Sequence, residues 1–342
     1  MFMPILKAPL MPISASVPHV TPRPLKVGIV GAGLAGLACA EALAAQGASV
    51  VLFDKGRGPG GRMSVRRLET PLGTATFDFG TQYFTARDPG FRAQVERWAE
   101  QGIVARWHEA NADAWVGLPA MNAPLRALAE RHDTRFSHRV EGMVHWTDGW
   151  TLMGGDFHAE LFDAVALAIP PEQAAPLLSL HAFELAQAAM QVRSQPCWTL
   201  MAAFPAPLPL PDVLRDTGAI SWAARNSAKP GRDGPESWVV QAAPHWSAHH
   251  LEDPADSVGE ALLAALQEAA GADLPAPLVT SVHRWRYGLS AGTDLGTLWS
   301  ADARIGACGD WLLGPRVECA WISGQALASR ILADCTVDAE TA

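Results

Sequence analysis

Gly31, Gly33 and Gly36 follow the apolar run Val27–Val30 in the order G-x-G-x-x-G, and an acid, Asp54, stands 18 positions after the last of them. Residues of these types at this spacing suit a dinucleotide. The glycines make a turn tight enough for a pyrophosphate to reach backbone amides at a helix N-terminus, and a carboxylate ending the next strand accepts from ribose hydroxyls. A ligand-free strand-to-helix turn uses the same glycines, but the apolar strand before them and the amphipathic segment after them favour the ligand. Gly31, Gly33, Ala35, Gly36 and Asp54 are therefore expected at a cofactor. The next residues, K-G-R-G-P-G-G-R-M from Lys55 to Met63, set Lys55, Arg57 and Arg62 among four glycines. Exposed amides beside cationic side chains suit a second phosphate contact, adding Lys55, Gly61 and Arg62. A dehydrogenase that uses only NAD has no need of this extra loop, so the expected nucleotide is FAD.

The elements that must carry these residues are legible in outline. A strand at Val27–Val30, a helix from about Leu34 to Gln46 with Gly47 past its end, and a strand at Ser49–Phe53 make a βαβ opening. A helix is expected from Pro89 to Gln101, with Phe91, Val95 and Trp98 on its packed face. Another follows Asn122 as its cap, a hairpin region runs from Arg135 to Met153, and a buried strand over 162–171 is stopped by two prolines. A helical stretch from Pro171 to Met190 and strands at Cys197–Phe204 and Ala219–Ala224 come next. The last element is a strand, Gly309–Asp310, a loop, and a helix whose Ala320, Gly324 and Ala328 form one close-packing stripe.

The bulk of the chain has ordinary globular composition: 342 residues, 49% hydrophobic, 18% charged. A formal net charge of −9 argues against a protein that grips nucleic acid or an anionic membrane through a general positive field. The five cysteines share no metal-ligand spacing, so neither zinc nor a disulfide framework is indicated, and reduced thiols point to the cytoplasm. No apolar run is long enough to span a bilayer. Residues 1–25 are proline-rich and lack the features of a secretory signal, and are read as a disordered leader. His245 and Trp246 have no visible carboxylate partner or metal companion and read as structural.

The motifs together resemble a known family. G-x-G-x-x-G, an acid, then G-G-R-M is similar to the opening of the flavin-containing amine oxidase superfamily. The run T-F-D-F-G-T-Q-Y-F-T-A-R, residues 76–87, resembles the renalase-like branch, with Gln82 and Tyr83 carrying most of the match. W-A-A-R-N-S-A-K-P from Trp222, H-R-W-R-Y-G from His283 and V-G-L-P-A-M from Val116 resemble bacterial renalase-like proteins, with Ala120 where that branch usually has glycine.

The resemblance spans residues 27–335 and implies an α/β fold: a Rossmann-like FAD-binding domain (26–86, 121–171 and 300–336) with a discontinuous mixed β-sheet and helix substrate domain (87–120 and 172–299). It implies that Gln82, Tyr83 and Val140 contact the flavin, and that Gly309 and Asp310 bind its ribityl chain or a phosphate-bridging water. Helix N-terminal amides near Val317 and Glu318 would face the flavin N1 and C2 carbonyl, where negative charge collects on reduction. Cys319 replaces the usual glycine there, and no S-G-G-C anchor is present, so FAD is expected to be non-covalent.

The implied reaction is hydride transfer from isomeric dihydronicotinamide dinucleotides, giving NAD(P)+, with electrons passed to O2 to give H2O2. Tyr83, Arg225, Asn226, His283 and Trp285 are the expected substrate-side residues. Arg225 and Asn226 suit a nucleotide phosphate or carboxamide, or equally a solvated hairpin loop. No acid–base pair stands out, and an electron-rich dihydropyridine needs none; positioning and desolvation suffice. The alternatives are oxidation of a small amine or a carotenoid on the same scaffold, a non-catalytic FAD-binding redox sensor, and a plain NAD dehydrogenase.

Overall fold

The computed structural model describes residues 23–155, 157–158 and 160–341, so all but the last three residues of the expected leader lie outside the described residues. The chain opens with β1 (Lys26–Val30), α1 (Leu34–Ala45) and β2 (Ser49–Asp54), then the hairpin β3 (Val65–Thr70) and β4 (Gly73–Asp78). Helix α2 (Pro89–Glu100) leads to a short hairpin, β5 (Val104–Arg106) and β6 (Trp115–Gly117), followed by α3 (Ala123–Ala129) and β7 (Asp133–Phe136). Strands β8 (Gly142–Trp146), β9 (Gly149–Gly154) and β10 (Phe157–His158) form a meander before β11 (Ala164–Leu167), α4 (Pro171–Leu178) and α5 (Phe183–Gln191). The middle of the chain is β12 (Ser194–Phe204), β13 (Val213–Thr217), β14 (Ile220–Arg225), β15 (Glu236–Ala242), α6 (Pro244–His249), α7 (Ala255–Ala270) and β16 (Val279–Ser290). It closes with β17 (Leu298–Ser300), β18 (Ile305–Ala307) and α8 (Val317–Thr341).

The central sheet has the order β17-β18-β11-β1-β2-β7, parallel except at β17. Its inner strands β18, β11, β1 and β2 are apolar on both sides because both faces are covered. Val27, Ile29, Leu52 and Ala166 face the cluster that holds α1 and α8, whereas Val30, Val51, Phe53 and Leu167 face Trp150, Leu152 and Phe162 of the meander side. Period-2 alternation thus persists inside runs that look continuously hydrophobic. Helices α1 and α8 cross at backbone contact: a Cβ on Gly324 would lie 2.2 Å from the Ala35 carbonyl oxygen. The small-residue stripe on α8 is what lets them meet.

A second, antiparallel sheet has the order β13-β14-β15-β12-β16. One face packs on α7 through Trp198, Leu200, Val240, Leu262 and Leu266. The other receives the β3–β4 hairpin, where Ala75, Phe77 and Phe79 meet Met201, Ala203 and Val239. This hairpin, which leaves the central sheet directly after the glycine–arginine loop, is the bridge between the two sheets.

Two expectations change in detail. The helical stretch from Pro171 to Met190 is two helices, since Pro176 already withdraws an amide from α4 and the chain turns through Ser179–Ala182 to fold α5 back on α4. The hairpin expected from Arg135 begins only at Gly142. Asp133–Phe136 instead joins β2 in parallel, because the crossover through α3 returns the chain beside it. No helix among the described residues is long and apolar enough to cross a membrane. No group of three or more His, Cys, Asp or Glu among them is placed to hold a metal ion.

Candidate functional site

After β1 the chain turns through Gly31, at a φ of +105° that side chains rarely adopt, and a Cβ on Gly36 would sit 2.0 Å from the Gly31 carbonyl oxygen. Gly33 caps α1 without any side-chain bond, and a Cβ there would meet nothing within 4 Å. The first-turn amides of α1 therefore end at open backbone, the arrangement that suits an anion. Asp54 ties this turn to the next loop: Oδ2 accepts from the Ala32 amide (2.7 Å) and Oδ1 from the Gly56 amide (2.6 Å). A carboxylate has lone pairs left for ribose hydroxyls after two such bonds.

Gly61 comes back against the same turn. A Cβ built on it would lie 3.6 Å from the Gly33 Cα, so two glycine loops face each other as backbone. Ala35 is buried under α8, and the Lys55 ammonium lies 3.3 Å from Gln173 Oε1, on the α4 side. Val140 packs beyond β7 against the cluster containing Phe53.

Arg62 joins the two ends of the chain. Its guanidinium donates to Asp310 Oδ1 (2.5 Å) and to the Gly288 carbonyl (3.1 Å). Asp310 is buried, and Gly309 before it is pinned to α8 by Ser323, whose hydroxyl accepts from the Gly309 amide (3.0 Å) and donates to the Gly296 carbonyl (2.6 Å). Ser323 had no signal in the sequence beyond its place on the last helix. Val317 and Glu318 open α8, so their amides have no carbonyl partner within the helix. The Glu318 carboxylate accepts from the amides of Arg87 (2.7 Å) and Asp88 (3.0 Å), and Arg316 Nε lies 3.5 Å from its other oxygen. Cys319 is buried with its sulfur 3.5 Å from Arg316 Nη2. The Thr293 hydroxyl, in the loop that packs Gly292 on the Leu313 carbonyl, is buried with no partner among the described residues. Opposed glycine loops, an acid at the strand end and an unpartnered buried hydroxyl fit an extended dinucleotide cofactor. Gly33, Asp54, Gly61, Arg62 and Asp310 would hold it.

Gln82 and Asn226 belong to a buried network that sequence reading did not assemble. Asp78 is its centre: Oδ2 accepts from Arg232 Nη2 (2.6 Å) and Lys229 Nζ (3.2 Å), and Oδ1 from the Met121 amide (3.0 Å). Asn226 Oδ1 accepts from the Asp78 amide (3.2 Å) and its Nδ2 donates to the Thr76 carbonyl (2.7 Å). Gln82 Oε1 accepts from Lys229 (3.1 Å). Burial pushes the Lys229 ammonium down to about 8, with Asp78 opposing that shift. On Asp78 burial pulls the other way, but the two cations and the Met121 amide win and hold its carboxyl below the usual range. Two cations on one acid leave a single positive charge in a dry site. The sequence gives little hint of it, since Lys229 and Arg232 stand in the polar run R-N-S-A-K-P-G-R, far along the chain from D-F-G-T-Q.

Arg225 is engaged elsewhere, donating to Asp212 (2.7 Å), Glu236 (2.6 Å) and the Leu208 and Leu210 carbonyls (2.9 and 2.7 Å). Arg225 and Asn226, expected on the substrate side, thus both have protein partners for their polar groups.

The aromatic wall forms on one sheet face. Trp222, Gln241, Thr199 and His283 are successive cross-strand partners on β14, β15, β12 and β16, and so share that face. Tyr83 lies 5.4 Å from Trp222, whose buried indole N–H has no partner among the described residues, and the Arg215 guanidinium covers Trp222 at 4.3 Å. Trp285 stacks on Phe79 at 5.1 Å and donates to the Phe79 carbonyl (3.0 Å). His283 stands edge-on to both rings; burial, and then the nearby Arg66 charge, push its imidazole down to about 4. It is neutral near pH 7 and no general acid.

Comparison with known proteins agrees with this geometry. Residues 29–98 match the NAD(P)-binding Rossmann-like domain, and residues 104–332 match the flavin containing amine oxidoreductase model. Among solved structures the chain is similar to cyclohexylamine oxidase from Brevibacterium oxydans IH-35A, at 14% identity over 92% of this chain and 100% of that one, with a TM-score of 0.66. It is similar to a protein of Exiguobacterium sp. 255-15 carrying the provisional name protoporphyrinogen oxidase, at 14% identity over 90% and 98% of the two chains, TM-score 0.70. Putrescine oxidase bound to putrescine matches at 15% identity over 91% and 100%, TM-score 0.60. At such identities these likenesses show the fold alone. The family model spans most of the chain and takes in Asp310 and α8, and the Rossmann match takes in the opposed glycine loops; the chain belongs to the flavin containing amine oxidoreductase family.

Proposed function

We propose that the protein is an FAD-dependent oxidase of dihydronicotinamide dinucleotides, renalase-like in substrate, with non-covalent FAD. When bound, FAD would supply the acceptor for a hydride, which with a proton from solvent would reduce O2 to H2O2. The chain's residues bind, orient and dehydrate. The cradle of Gly33, Gly61, Arg62 and Asp310 holds the cofactor, and the wall of Tyr83, Trp222 and Trp285 offers flat faces to a dihydropyridine ring. Neutral His283 adds no charge to that wall.

The observation that carries this reading is the sign of the charge beside Tyr83. The Arg215 guanidinium lies 4.3 Å over the ring of Trp222, which itself lies 5.4 Å from Tyr83. A guanidinium at this place attracts a pyrophosphate and repels an alkylammonium. An amine substrate, the other reading open to this family, would meet it with the wrong charge. The test is H2O2 release from 2- and 6-dihydronicotinamide dinucleotides, the corresponding mononucleotides and a panel of primary amines. We expect turnover of the dinucleotides, a higher KM for the mononucleotides and none with amines. Turnover of an amine at a rate matching or exceeding that of the dinucleotides would overturn the proposal.

A further inference from the structure

The turn Phe79–Gln82 is gripped from several separate segments. The Gly80 carbonyl accepts from Gln241 Nε2 (2.6 Å) and Gln82 Nε2 (3.1 Å), and the Phe79 carbonyl from Trp285 Nε1 (3.0 Å). The Thr81 amide donates to the Arg62 carbonyl (2.8 Å), and a Cβ on Gly80 would sit 2.0 Å from that same oxygen. The backbone of Arg62 therefore rests directly on this turn. Arg62 is also the residue that links Gly61 to Asp310.

Lys229 decides which way Gln82 faces. An ammonium only donates, so its contact with Gln82 requires the amide oxygen on the lysine side and the NH2 on the other. There the NH2 meets the carbonyls of Asp78 (2.5 Å) and Gly80 (3.1 Å). Turned over, the amide would set N–H against ammonium and oxygen against two carbonyls. Lys229 is itself fixed by Asp78, which Arg232 shares, and all three side chains are buried.

We propose that Lys229 is a positioning residue for the flavin cradle: by orienting Gln82 it holds the turn 79–82 on which Arg62 rests. The loop after β14 would thus set the phosphate-binding end of a cofactor site that lies on the other sheet. The inference concerns the cradle alone and does not depend on which substrate reduces the flavin.

The experiment is FAD release from the holoprotein on dilution, followed by recovery of flavin fluorescence, for the wild type, Lys229→Met, Gln82→Met and the double variant. Each single substitution is expected to raise the FAD Kd roughly 10- to 100-fold, the range for losing a hydrogen bond to a charged group. The double variant should be no weaker than the worse single, as one shared link requires, and the visible circular dichroism of bound flavin should change alike in both singles. Gln82→Met leaves the Asp78–Lys229–Arg232 ion cluster whole, so it tests the link even where Lys229→Met does not fold. Wild-type FAD affinity in Gln82→Met, or additive losses in the double, would overturn the proposal. So would a Lys229→Met protein that melts earlier yet binds FAD unchanged.

Discussion

At the scale of single residues, burial sets the charge state of side chains around the site. His283 is the clearest case with a pH consequence. Its folded-state value of about 4 lies below the ordinary 6.5, so the unfolded chain binds more protons between those limits. The stability it contributes is complete above pH 6.5 and is lost as pH falls through that window. Melting temperatures from pH 7 down to 4 should show a loss in the wild type that is flattened in His283→Gln; equal slopes would refute the assignment. The glycine turn and Asp54 were legible from residue types because a positive φ and a backbone-to-phosphate approach leave few alternatives. Asp78, Lys229 and Arg232 were not: Lys229 and Arg232 lie 151 and 154 residues from Asp78, and in a lone sequence they look like any solvated loop. Arg225 illustrates the converse, a residue well suited to a phosphate that two carboxylates and two carbonyls already occupy.

At the scale of elements, small residues matter for where backbones meet. Gly324 on α8 meets the Ala35 carbonyl in the very turn that opens toward the cofactor, so packing and binding share one contact. Gly324→Val should cost about 1–3 kcal/mol by overpacking and release flavin as well, since α1 cannot shift without moving its N-terminus. Differential scanning calorimetry with flavin release checks this; a variant with wild-type melting and flavin retention would show that the helices do not meet as described. The stripe Ala320, Gly324, Ala328 announced a close crossing in the sequence but not its partner. The break in Pro171–Met190 was illegible because the return of α5 on α4 is decided by tertiary packing.

At the scale of the molecule, the β3–β4 hairpin and the Arg62–Asp310 pair hold two sheets around one cradle whose parts lie almost 250 residues apart. The two-sheet plan could be read ahead through the family resemblance, because the motifs themselves define only the parallel sheet. The guanidinium of Arg215 over Trp222 beside Tyr83 could not, since a formal net charge of −9 for the chain says nothing about one place on its surface. The most direct test of the account is anaerobic stopped-flow mixing of the oxidised holoprotein with a 6-dihydronicotinamide dinucleotide and, separately, with a primary amine. The account predicts rapid bleaching of the flavin absorbance by the dinucleotide and none by the amine. A flavin that stays oxidised with the dinucleotide while the amine bleaches it would contradict the account.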